Sequence, residues 1–136
     1  MSQNYKFKSL SIADKDQQGD LPNDPNALMV YEIGETKTID FIKKDGTKQN
    51  FPYSHYMTAW YEKQENDNDW FIKIFFATHM VTIHGSCLDT IYNHLKQFKL
   101  KTLQAHDLRY LDDVPEESPF VSSIIIEWKG LSLIHI

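Results

Sequence analysis

The 136-residue sequence contains a single cysteine, Cys87. No intrachain disulfide can form, and a reducing, cytoplasmic compartment is the default expectation. Glycine is scarce, at 5 residues. Neither GxGxxG nor GxxxxGK occurs, which excludes a phosphate-cradling loop of known type. No apolar run approaches the length needed to cross a bilayer. The opening MSQNYKFKSL lacks the apolar stretch of a secretory signal. Cationic side chains are the minority, 14 Lys and Arg against 19 Asp and Glu, for a net charge of −5 with histidine neutral. They are also dispersed: Lys43, Lys44 and Lys48 flank one turn, and Lys96, Lys99 and Lys101 lie near one helix end. A nucleic-acid backbone is disfavoured as a partner, because such binding rests on concentrated Lys and Arg. The six histidines, His55, His79, His84, His94, His106 and His135, include no HxH or HExxH pair, and CxxC is absent. No metal site and no cofactor are expected.

What is present is a chain of ordinary apolar content, with 41% hydrophobic residues and an ample 13% aromatic. Its length suits one domain able to bury a core without staples. Residues 1–26 read as a polar, flexible lead: ADKDQQGDLPNDPN cannot bury enough apolar surface to offset its ordering entropy. Only Phe7, Leu10 and Ile12 offer it a docking strand. The domain is expected over 27–130. LSLIHI, at 131–136, reads either as a non-native read-through tail or as an apolar tail docked on the sheet.

Between these ends, strand patterns dominate. LMVYEI, 38–43, 51–61, WFIKIFFA and MVTIHG are successive strand candidates. Lys44-Asp45-Gly46-Thr47 supplies an Asp-Gly hairpin turn, since glycine tolerates positive φ. Thr78-His79-Met80 marks a second reversal. Pro52 belongs near a sheet edge, where a missing N–H costs nothing. A helix is expected over 87–98. Ser86 would cap it with Asp89 in a capping box, and Leu88, Ile91, Tyr92, Leu95 and Phe98 would form its apolar stripe. KTLQAH and SPFVSSIIIEW follow as strands, separated by the acidic loop LDDVPEESP. Strands in a run, then one helix, predict an α+β fold: an antiparallel meander or half-barrel of five to seven strands with one helix on it.

Three constellations could carry chemistry. Cys87 at the helix start is a candidate thiolate, because the dipole lowers a thiol pKa there, with His84 and Asp89 close in sequence. Against this, Asp89 is explained as a helix-start residue and the cysteine as a small packing residue. The pairs Asp112-Asp113 and Glu116-Glu117 read as a solvated loop, which offers nothing to drive two pKa values apart. The aromatic surplus is the most informative feature. Tyr53, Tyr56, Trp60, Tyr61, Trp70, Phe71, Phe75 and Phe76 all fall in two neighbouring strand candidates. Either the sheet curls into a half-barrel and buries them, or one helix leaves an aromatic patch uncovered, with Tyr53, Tyr56, Trp60 and Trp70 on it. Those four are the candidate interaction surface.

From the Asp-Gly turn onward, FPYSHYMTAWY, WFIKIFFATHMVTIHG and a capped helix resemble small bacterial pleckstrin-homology-like domains, which place a β-meander before a closing helix. The chain departs from them in its two strands after the helix and in lacking a basic headgroup pocket, so neither function nor residues carry over. The expected function is a non-enzymatic protein-binding or assembly module. Its partner is another protein, with a homo-oligomer allowed and no nucleic acid or membrane. The alternatives are a small enzyme or metal-dependent hydrolase using His84 and Cys87, or a small-ligand binder in a half-barrel.

Overall fold

A computed structural model describes residues 28–64 and 69–129. The lead over 1–26 and the tail over 131–136, on which two of the expectations fall, lie outside the described residues. The strands are β1 (Tyr31–Ile33), β2 (Thr38–Ile42), β3 (Lys48–Pro52), β4 (Tyr56–Lys63), β5 (Trp70–Phe76), β6 (His79–Ser86), β7 (Leu100–Gln104) and β8 (Phe120–Trp128). The helix α1 (Asp89–Lys96) stands between β6 and β7. Two four-stranded sheets result, ordered β1-β7-β2-β3 and β4-β5-β6-β8. All pairings are antiparallel except β2 with β7. The α+β class with antiparallel sheets is as the sequence indicated; the number of strands is larger.

The extra strand comes from the stretch 51–61, expected as one strand. The chain breaks in a 3-10 turn at Tyr53–His55, which follows Pro52 in extended geometry. Pro52 supplies no N–H to continue a ladder. The backbone therefore leaves the first sheet at β3 and enters the second at β4. Pro52 does lie on an edge strand. The β2–β3 reversal forms around the Asp-Gly pair: Gly46 takes φ 91°, its N–H donates to Lys43 O at 2.9 Å, and Asp45 Oδ1 accepts from Thr47 N at 2.9 Å. Charge-stabilised hydrogen bonding to Thr47 holds the Asp45 carboxyl below its ordinary range. The second reversal sits at Ala77–Thr78, since β5 ends at Phe76 and β6 starts at His79.

The helix is shorter than its apolar pattern. Ser86 is the last residue of β6 and does not cap. The N-cap is Leu88, with no side-chain cap bond. Strand pairing of Ser86 with Phe120 takes precedence over capping. Phe98 falls beyond the helix at φ 58° and stays half exposed, its ring 5.0 Å from Tyr53 and 5.3 Å from Tyr56. The rest of the stripe does its expected work, for Leu88, Ile91 and Leu95 are fully buried.

One buried cluster joins both sheets and the helix. Ile39, Phe41 and Phe51 come from the first sheet, Ile72, Ile74, Phe76, Val81 and Ile83 from the second. Phe51 and Phe76 stack across the divide at 4.4 Å, with Phe41 edge-on to both. Offset or edge-on ring pairs of this kind add roughly 0.5–1.5 kcal/mol to simple burial. Gly85 marks a register shift between β6 and β8, where Phe120 O would lie 1.9 Å from any added Cβ.

Candidate interaction surface

Residues of a strand alternate between faces, so each sheet has one face on the core and one outside. The outer face of the first sheet is polar. Register aligns Glu32, Thr102, Asp40 and Asn50 in one row across all four strands. Asn50 Nδ2 donates to Asp40 Oδ1 at 2.7 Å and to Thr38 Oγ1 at 3.1 Å. Asn50 thereby ties β3 to Asp40 and Thr38 of β2.

The outer face of the second sheet differs in kind. Its three rows are Thr58–Phe75–Met80–Glu127, Trp60–Lys73–Thr82–Ile125 and Glu62–Phe71–His84–Ser123. Trp60 lies 5.2 Å from Phe75, and Lys129 Nζ stands 4.4 Å above the Phe75 ring. Lys73 Nζ approaches the Phe71 ring at 5.8 Å, and His84 flanks the same ring at 5.9 Å. Cations over ring faces are attracted by the ring quadrupole, and their alkyl stems cover part of the apolar surface. Trp60, Phe71, Phe75 and Met80 are half-buried by these neighbours, Thr82 beneath them is buried, and Ile125 remains 45% exposed.

The four aromatic residues singled out from sequence do not share this face. Trp60 does. Tyr53 is buried in the core, its hydroxyl donating to Leu100 O at 2.6 Å. Burial drives its ionisation well above the usual tyrosine range. Tyr56 is half-buried, 6.3 Å from Phe76, and points inward after the 3-10 turn. Trp70, 41% exposed, has the inward parity of β5 but projects past the core. It packs 4.8 Å from Tyr61, which in turn lies 5.7 Å from Tyr92 of the helix. Along 51–61 alternation keeps Phe51, Tyr53, Ala59 and Tyr61 on the core and Thr58 and Trp60 outside; the break at Tyr53–His55 and the register shift between Tyr56 and Thr58 turn Tyr56 inward against that order. Phe71, Phe75, Met80 and Ile125 complete the outer face and are not among those four. Continued alternation along WFIKIFFA would have grouped Phe71 with Phe75 and apart from Trp70.

Cys87 is exposed, in left-handed backbone at φ 54°, two residues ahead of the helix. Its thiol is pushed up, first by partial burial and then by the negative charges of Asp89 and Glu117. The expected dipole-lowered thiolate is not what this setting produces, because the carboxylates oppose it. His84 occupies the outer face beside Phe71. Among the described residues, no group of three or more His, Cys, Asp or Glu is arranged to hold a metal ion. No helix among them is long and apolar enough to cross a membrane. Comparison with protein-family models, with curated proteins and with solved structures yields no match.

Proposed function

We propose that the chain is a non-enzymatic protein-binding module that docks another protein on the outer face of β4-β5-β6-β8. The observation that carries this reading is the contrast between the two solvent faces. Across one sheet the central row is Glu32–Thr102–Asp40–Asn50; across the other it is Trp60–Lys73–Thr82–Ile125. A contiguous group of aromatic and aliphatic side chains on a solvent face marks a site of association. The second face also has the anatomy of a recognition patch. Phe75 and Met80 are neighbours on the two middle strands, Trp60 and Ile125 stand diagonal to them on the edge strands with Lys73 and Thr82 between, and Lys129, Glu62 and Glu127 lie farther out. Binding energy concentrates on such aromatic anchors while the charged rim sets specificity.

The test is affinity purification from the native host with mass spectrometry, using the wild-type chain and a Trp60→Glu, Met80→Glu variant side by side. Both side chains are only half-buried, so the variant is expected to keep its circular dichroism spectrum. Proteins retained by the wild type and lost from the variant support the reading. An identical set on both baits refutes it.

A further inference from the structure

The two sheets end in four edges: β1, β3, β4 and β8. Unpaired strand edges template association, and proteins usually blunt them with short length, lysine, proline or bulges. Three of these edges are blunted. β1 has 3 residues and an irregular register. β3 has 5, with Lys48 at one end and Pro52 at the other. β4 carries the register shift around Met57, and its Tyr61 packs against the helix. β8 is the exception. It is the longest strand, with 9 residues, and FVSSIIIEW contains no proline, lysine or arginine. Among the described residues only its start is engaged on the far side, where His106 N donates to Val121 O at 2.9 Å. Lys129 N donates inward to Thr78 O at 2.8 Å. The alternation of an antiparallel ladder then turns the N–H and C=O groups of Ile124, Ile126 and Trp128 toward the open edge.

We infer that this edge pairs with the β8 of a second copy of the chain, antiparallel about a two-fold axis at Ile125. The strand is self-complementary in that register. Ile124 and Ile126 of the two copies become hydrogen-bonded partners through their edge-facing groups. Ile125 meets Ile125 of the second copy in a non-hydrogen-bonded pair, where side chains approach most closely. Glu127, the only charge in β8, falls opposite Ser123 of the second copy rather than opposite another carboxylate. Ser123 lines a cleft of about 280 Å³ together with Ile124, Ala105, Asp45 and the cations Lys43 and Lys44. The incoming carboxylate thus enters a site with two lysines, and the cleft leaves room beside the middle of β8. The pairing removes the exposed Ile125 from water and fuses the two apolar outer faces into one continuous surface. It uses the strand edge, not the face, and would stand if that face bound nothing.

Sedimentation equilibrium of the full chain at about 50 µM, above the Kd of a stable dimer, is expected to give twice the 16.0 kDa chain mass. Ile125→Lys sets like charges opposite each other at the axis. It is expected to raise the dimer Kd at least about 100-fold, with the circular dichroism spectrum unchanged. In a Cys87→Ser background, Ile125→Cys is expected to form an intermolecular disulfide under mild oxidation, because that pair brings Cα atoms within about 4.5 Å. Thr58→Cys, on the opposite edge strand, is the control and is expected to stay unlinked. A monomeric wild type would overturn the inference, whether the edge is free or covered by another part of the chain. A dimer untouched by Ile125→Lys, or cross-linking equal at Thr58→Cys, would overturn it too.

Discussion

Gly85→Ala adds one methyl group, and the structure makes it among the most damaging small changes available. The new Cβ would meet Phe120 O at 1.9 Å, Phe120 C at 3.0 Å and Val121 Cα at 3.0 Å. All three atoms are backbone, so no side-chain rotation relieves the clash. To restore even a 3.0 Å contact, the start of β8 must withdraw by about 1 Å, the difference between 3.0 and 1.9. That displacement breaks the pairing on either side, His84 with Ser123 and Ser86 with Phe120. Two strained or lost ladder bonds cost about 1 kcal/mol each. Shifting the buried Phe120 and Val121 adds an overpacking cost of about 1–3 kcal/mol. The sum is about 3–5 kcal/mol, a large part of a small domain's stability. Urea denaturation followed by circular dichroism is the assay, reading the midpoint at unchanged slope. Gly46→Ala is the internal comparison. It adds the same methyl group where nothing lies within 4 Å, but at φ 91°, so only backbone strain of about 1–3 kcal/mol applies. A loss under about 1 kcal/mol for Gly85→Ala would show that β6 and β8 are not held at this spacing, and would refute the reasoning.

Leu95→Ala, at a fully buried position of the helix, is expected to cost about 2–5 kcal/mol in the same assay, and a change within half a kcal/mol would place that helix face in solvent. His94, half-buried and stacked 5.9 Å from Tyr31, has its pKa lowered by burial. The unfolded chain therefore binds the proton more readily, so stability is complete above about 6.5 and declines as pH falls toward the depressed folded value. His94→Gln is expected to flatten that decline in melts between about pH 7 and pH 5; an unchanged slope would assign it to other groups. Cys87, its thiol raised by burial, Asp89 and Glu117, is expected to react slowly with iodoacetamide at neutral pH and faster as pH rises; rapid neutral alkylation would contradict that setting.

The local devices were legible in the sequence because each depends on neighbours a few residues apart. The Asp-Gly reversal between β2 and β3 is set by the tolerance of Gly46 for positive φ and by the reach of the Asp45 carboxylate to Thr47. Val81 and Ile83 alternate onto the core, and so do Ile72, Ile74 and Phe76 on the strand beside them. The spacing of Leu88, Ile91 and Leu95 put a helix between strands. Together these determined an α+β chain with mostly antiparallel sheets and an aromatic surplus in need of cover. They could not determine which strands become neighbours. β7 enters the first sheet between β1 and β2, parallel to one and antiparallel to the other, by contacts some sixty or more residues apart in sequence. Nor does local counting show the turn at Tyr53–His55, which hands the chain from one sheet to the other and, with the register shift between Tyr56 and Thr58, turns Tyr56 inward. Tyr53 went to the core, Trp60 to the open face and Trp70 to the side of Tyr61. Alternation assigns residues to a common face only within an unbroken strand, and whether that face meets protein or water is decided by the sheet packed against it.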